Sequence, residues 1–216
     1  MKLYSVDLSP FAARVRAAVY AKALPVQIVP PPAAGTKSTE YLALNPMGRV
    51  PVLVTGDGFA LPESDTIVEY LADVFPESGL RPATAEAKAQ ARLIARVSEV
   101  YVMPPLQPLF GQMNAANRDQ AVIDDGIEKL KAALVHLNVF LGDGPYAVGE
   151  TFTTADCALI PVLFFIQLAG QVFGKGDLLA GVVKLSDYAE RLKMDATAQK
   201  VGSEMMAGLR AMQGAG

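Results

Sequence analysis

A single cysteine, Cys157, stands among the 216 residues. One thiol excludes an intrachain disulfide, a CxxC redox pair and a cysteine-rich zinc site together. Any thiol chemistry therefore needs a thiol from outside the chain, and no metal is expected. Histidine is as scarce: His136 is alone and falls mid-way along a helical stretch, which leaves a Ser-His-Asp hydrolase without its base. Charged residues make up 19% against 51% hydrophobic, a balance that excludes a disordered chain. Long apolar runs are missing as well. Cys157 to Ile166 carries no charge but is interrupted by Pro161 and is about half the length that spans a bilayer, so it reads as a buried core helix. Lysine and arginine nowhere cluster and the formal charge is -3, which argues against nucleic acid and against a membrane surface as partner. The start, Met1 to Asp7, has neither a sustained apolar stretch nor a small-residue cleavage site. No signal peptide is expected, and the cytoplasm is the expected compartment.

What is present divides the chain in two. Lys2 to Leu8 alternates as a strand does and meets Ser9-Pro10, a helix opening with serine at the cap and proline at the first helical position. Helical spacing of Ala12, Val15 and Val19 carries that helix to Ala23, where Leu24-Pro25 closes it. Val26 to Val29 is a second strand, stopped by Pro30-Pro31-Pro32 because proline has no N–H for a ladder. Residues 33–45 read as loop and a short helical turn. Val50 to Val54 and Phe59 to Leu61, joined through Thr55-Gly56-Asp57-Gly58, read as a hairpin. A helix from Ser64 or Asp65 to Val74 ends at Pro76. The order is β-α-β-α-β-β-α over 1–77, with a Pro/Gly/Ser-rich linker at 78–83. Strand signals then stop. Helices are expected at Ala85 to Val102, Asp119 to Leu141, Thr153 to Gly170, Leu185 to Leu192 and Ser203 to Met212, with Pro104, Pro105 and Pro108 breaking the chain between the first two. This predicts an α/β domain followed by an all-α one, the latter over 84–216.

Three clusters in the first part carry chemistry. Proline at 51 stands at the start of a strand expected to be central. It is either an ordinary trans residue at a strand edge or a cis bond that turns the Val50 backbone outward, free to pair with an extended ligand. At Leu61-Pro62-Glu63-Ser64-Asp65, Ser64 either caps the helix or joins its N-terminal N–H groups in holding a carboxylate, with Glu63 suited to an ammonium. Ser9 either caps its helix or donates a hydrogen bond to a bound thiolate. Lowering a thiol pKa by about two units takes about 2.7 kcal/mol, within reach of one charge-assisted bond and a helix terminus. Together the clusters suit an extended thiol-bearing peptide. In the second part, Thr153 and Asp156 sit at capping-box spacing between Phe152 and Cys157 at staple positions, so Asp156 is read as structural.

The segments Ser9-Pro10-Phe11-Ala12-Ala13-Arg14-Val15-Arg16, Asn45 to Pro51, Glu63-Ser64-Asp65 and Thr153-Thr154-Ala155-Asp156, in this order, resemble the glutathione transferase family over nearly the whole chain. The resemblance implies a thioredoxin-like first domain, an all-helical second domain with the electrophile site at the interface, and a homodimer. It implies that Ser9 activates the thiol as in serine-type members, that Val50 and Pro51 meet the cysteinyl backbone, and that Glu63 and Ser64 hold the γ-glutamyl end. Lys37 or Arg49 is the candidate for the glycyl carboxylate. Phe11, Tyr101 and Met103 are candidate walls for a small apolar electrophile. The stretch around Ser9 and Arg14-Val15-Arg16 looks most like the zeta-type branch, which includes isomerases of maleyl-keto acids, although Ser9-Pro10-Phe11 departs from that branch's Ser-Ser-Cys start. Three readings follow: a transferase, a glutathione-dependent cis-trans isomerase, and a non-catalytic scaffold for protein partners. Arg14 and Arg16 are expected to tie the first helix to the second domain.

Overall fold

The computed structural model describes residues 1–214, the side chain of residue 117 excepted. The chain divides into two compact units, one of Met1–Arg81 with Asp195–Gly216, the other of Pro82–Met194.

In the first, the sheet unit, four short strands β1 (Lys2–Tyr4), β2 (Gln27–Val29), β3 (Val52–Val54) and β4 (Ala60–Pro62) lie in the order β2-β1-β3-β4. β1 runs parallel to β2 and antiparallel to β3, and β3 is antiparallel to β4. The parallel pair requires a crossover, supplied by helix α1 (Pro10–Ala21). Register follows from burial: Leu3 pairs with Ile28 and Leu53, and Leu3 and Leu53 are fully buried. Tyr4 points to the opposite face by strand alternation and meets Tyr41 of α2 (Thr39–Leu44) edge to face at 5.6 Å. Pro51 precedes the central strand, and Pro62 ends an edge strand, so neither removes a ladder bond. Helix α3 (Ser64–Val74) packs Ile67 and Leu71, both fully buried, beside α1.

The second, helical unit holds α4 (Ala85–Val97), α5 (Met103–Gly111), α6 (Gln120–Phe140), α7 (Thr154–Val172) and α8 (Val183–Leu192). Its centre is α7, long and apolar enough to cross a membrane yet 78% buried within the fold. That is the core helix the sequence predicts, and Cys157 is buried in it. Its N-terminus carries the expected capping box. Asp156 accepts from the Thr153 N–H at 2.8 Å, the Ala147 N–H at 2.9 Å and the Tyr188 hydroxyl at 2.8 Å. Burial pushes its carboxyl up, and those donors pull against that push.

Two expectations are corrected. Pro104, Pro105 and Pro108 do not break the chain: Pro104 and Pro105 fall in the first turn of α5, where an N–H has no helical partner anyway, and Pro108 lies inside that helix without ending it. A π-helical turn at Ser98–Val102, closed by the Met103 N–H on the Ser98 carbonyl, joins α4 to α5. The last helix, α9 (Ala196–Gly214), begins before the expected Ser203 and belongs with the sheet unit. Its apolar residues Val201, Met205 and Leu209 recur at every fourth position and are buried, while Glu204 from the same helix pairs with Arg16 at 2.9 Å.

Candidate active site

Ser9 caps α1: its hydroxyl oxygen accepts from the Ala12 N–H at 3.2 Å. The side chain is half-buried at the head of a helix whose following turns are closed off. A capping hydroxyl keeps its own hydrogen free to donate, so capping and thiolate stabilisation use different parts of the same group. Both roles proposed for Ser9 are therefore compatible.

Arg14 sits in the second turn of the same helix and is buried. Its guanidinium donates to the Ser64 hydroxyl at 3.4 Å and lies 3.4 Å from the Asp65 carboxylate. That bridge joins the start of α1, where Ser9 stands, to the start of α3, where Glu63 and Ser64 stand. Within the sheet unit this long side chain thus reaches from the second turn of α1 to the head of α3. Ser64 is buried at the first position of α3, and Glu63 precedes it exposed, at φ 69 and ψ 112. A left-handed backbone in a residue other than glycine costs about 1–3 kcal/mol and marks a place where the chain is held for a purpose. The free N–H groups and positive pole of α3 remain directed outward past Ser64.

The loop before β3 is also built. The Val50–Pro51 peptide is cis, the alternative the sequence left open. Among the described residues Val50 makes no backbone hydrogen bond, so its N–H and carbonyl are open to an extended ligand. The carbonyl before it, on Arg49, is held by the Tyr41 hydroxyl at 2.9 Å and the Asn45 side-chain amide at 2.9 Å. Burial pushes the Tyr41 hydroxyl up to about 12, with the neighbouring Tyr4 adding to the shift, so it stays a donor. Lys37 donates to the Met47 carbonyl at 3.1 Å. It folds over Gly48, whose φ of 60 and crowded α-carbon face both favour glycine: a Cβ there would lie 2.8 Å from the Thr36 carbonyl oxygen as well as from the lysine Nζ. Both the Lys37 and Arg49 side chains are exposed, and Lys37 is the one with its ammonium on this loop's carbonyl.

The electrophile candidates fall in different units. Phe11 is half-buried two residues after Ser9, in the sheet unit. Tyr101 is 57% exposed on the π turn of the helical unit, lining an apolar groove of about 540 Å³ with Leu93, Val97, His136, Val139 and Phe140. Met103 is buried at the start of α5, 3% exposed. Sequence reasoning missed the Arg14 bridge and the hold of Tyr41 and Asn45 on Arg49; only the buried asparagine beside Pro46 hinted at the latter.

A serine-headed helix, an unpaired backbone before the central strand and a second helix head stand on one mixed four-stranded sheet, the frame of a thioredoxin-like domain. Comparison with known proteins agrees. Residues 3–79 match the glutathione S-transferase N-terminal domain, and residues 120–191 match the glutathione S-transferase C-terminal domain. "Glutathione S-transferase 3" of Zea mays is 35% identical over 174 residues, 76% of this chain and 78% of its own. "Maleylacetoacetate isomerase" of Mus musculus is 33% identical over 168 residues, 74% of each chain. A solved "glutathione S-transferase-I bound with the ligand lactoylglutathione" superposes with a TM-score of 0.79 at 27% identity, covering 94% of this chain and 98% of that one. The chain belongs to the glutathione S-transferase family.

Proposed function

We propose that this chain binds glutathione along Val50–Pro51 and the head of α3, stabilises its thiolate from Ser9, and transfers it to a small apolar electrophile. The observation that carries the reading is the Arg14 bridge, which ties the helix headed by Ser9 to Ser64. Glutathione carries a γ-glutamyl carboxylate and ammonium at one end, and Ser64 with the α3 N-terminus and Glu63 complement them. Its cysteinyl amide pairs with the open backbone of Val50, as a short added strand. Lys37, its ammonium held at the Met47 carbonyl, takes the glycyl carboxylate in preference to Arg49. The thiol then lies at Ser9, whose hydroxyl donates to the sulfur; a lowered thiol pKa makes the nucleophile, and the bound geometry makes the attack effectively intramolecular. Phe11 stands beside that sulfur as apolar wall.

The enzyme is read as a cytoplasmic homodimer. The exposed apolar face of the helical unit, with Leu93, Tyr101 and Val139 at 42%, 57% and 68% exposure, supports a second copy as partner. Isomerisation of a maleyl-keto acid is a second reading, favoured by the similarity to the mouse maleylacetoacetate isomerase. In it the thiolate adds and leaves, so glutathione is not consumed.

Titration of glutathione into the protein and its Ser9→Ala variant, following heat and thiolate absorbance across pH, tests the reading. Binding in both with thiolate lost only in the variant supports it. No binding in either moves the chain to a non-catalytic scaffold. Counting free thiol before and after turnover then separates transfer from isomerisation.

A further inference from the structure

The loop that delivers Ser9 is gripped from beneath by a side chain with no place in the proposed chemistry. Arg16 is 1% exposed. It donates to the Ser5 hydroxyl at 2.7 Å, to the Val6 carbonyl at 3.0 Å and to the Asp7 carbonyl at 2.7 Å. The same Val6 carbonyl accepts the Ser9 N–H at 3.1 Å, so arginine and Ser9 backbone share one acceptor. On its other side Arg16 pairs with Glu204 of α9 at 2.9 Å. Glu204 is itself held by the Tyr20 hydroxyl at 2.8 Å and by Lys200 at 3.1 Å. Burial, then the bond to Glu204, pushes that Tyr20 hydroxyl far up, so it stays a donor at any working pH.

A second observation is independent of this charge network. One turn further along α9, Gly208 lies against the same loop: a Cβ there would be 2.8 Å from the Leu8 backbone nitrogen and 3.1 Å from the Asp7 and Leu8 Cβ atoms. Backbone cannot yield as a flexible side-chain tip can. The helix therefore reaches the Asp7–Leu8 turn only because position 208 has no side chain.

We propose that α9 is a clamp that sets the position of Ser9, with Arg16, Glu204 and Gly208 as its positioning residues. Polar pull through Arg16 and steric contact through Gly208 fix the residues 5–8 from which Ser9 springs, and a hydroxyl must sit within a few tenths of an ångström to stabilise a thiolate. The inference rests on the assignment of Ser9 to the glutathione thiol. Its logic separates binding from activation: the γ-glutamyl and cysteinyl contacts lie at α3 and Val50, away from the clamp, so loosening it costs thiolate rather than affinity.

The test titrates the thiolate absorbance of bound glutathione in wild type, Ser9→Ala, Gly208→Ala and Glu204→Gln, with calorimetric Kd, steady-state kinetics and a circular-dichroism check of folding. Glu204→Gln keeps the side-chain shape and carries the test alone if Gly208→Ala does not fold. In both clamp variants Kd and KM for glutathione are expected to stay within about twofold, while the bound-thiol pKa rises by about one unit, leaving about tenfold less thiolate and a matching fall in kcat. A raised thiol pKa in Ser9→Ala with wild-type titrations in both clamp variants overturns the clamp and leaves Ser9 in its role. Loss of affinity in step with thiolate also overturns it, as general structural damage. A wild-type titration in Ser9→Ala overturns the assignment of Ser9, and the clamp with it.

Discussion

Glu63 holds a left-handed backbone immediately before the buried Ser64, and the two residues pull stability and binding in opposite directions. Glycine at 63 relieves a strain of about 1–3 kcal/mol but adds up to about 1 kcal/mol of unfolded-chain entropy. Glu63→Gly is therefore expected to raise stability by ~1 kcal/mol in urea unfolding while weakening glutathione by about tenfold, since it removes the carboxylate proposed to face the ammonium. A variant that is neither more stable nor weaker in calorimetry shows Glu63 to be an ordinary surface residue. The motif itself was legible because a helix head is a local event: Pro62, then an acidic residue, then serine at the first turn. Its left-handed φ was not, since that conformation follows from how α3 is seated after β4, a matter of tertiary placement. The same division runs through the site. Ser9 and Val50–Pro51 could be found from neighbours in sequence, whereas the partner of Ser64 is Arg14, fifty positions away, and no local pattern announces such a pair.

At the level of elements, caps proved easier to foresee than the elements' allegiances. Thr153 and Asp156 form the box their spacing predicts, and the buried carboxylate does more than cap, since it also holds Ala147 and Tyr188. Asp156→Ala leaves those donors without an acceptor in a dry interior, at about 1–3 kcal/mol for each buried group, so a loss of at least ~3 kcal/mol is expected by urea unfolding. A loss under about 1 kcal/mol would show that water replaces the carboxylate. The last helix escaped the sequence for a complementary reason. Its buried stripe of Val201, Met205 and Leu209 fits any apolar surface, so periodicity alone assigns it a helix but no partner. Contacts remote in sequence, Arg16 and Tyr20 with Glu204 and Gly208 against Asp7–Leu8, place it with the sheet unit. The prolines of α5 misled likewise: a proline is a breaker inside a helix but a starter at its first turn, and the π turn that makes room for Pro104 and Pro105 leaves no signature in composition.

For the whole molecule, the apolar groove of α4, the π turn and α6 is where the proposed homodimer can be tested. Tyr101 and Val139 are large, apolar and exposed beside Leu93 and Val97, whereas an isolated soluble surface seldom gathers such side chains in one place. As a wall for the electrophile, Tyr101 would act with the glutathione site; as part of a subunit contact it would act on association. Val139→Glu together with Tyr101→Glu distinguishes the roles. Each substitution places a charge where a second copy is proposed to exclude water, and an unpaired charge buried at an interface costs several kcal/mol. Sedimentation velocity is expected to show a dimer for the wild-type chain and a monomer for the double variant, with glutathione affinity unchanged because Ser9, Val50, Glu63 and Ser64 all lie in the sheet unit. A wild-type monomer removes the homodimer from the proposed function. A dimer that survives both charges, with turnover of a bulky electrophile reduced, returns Tyr101 to the substrate pocket.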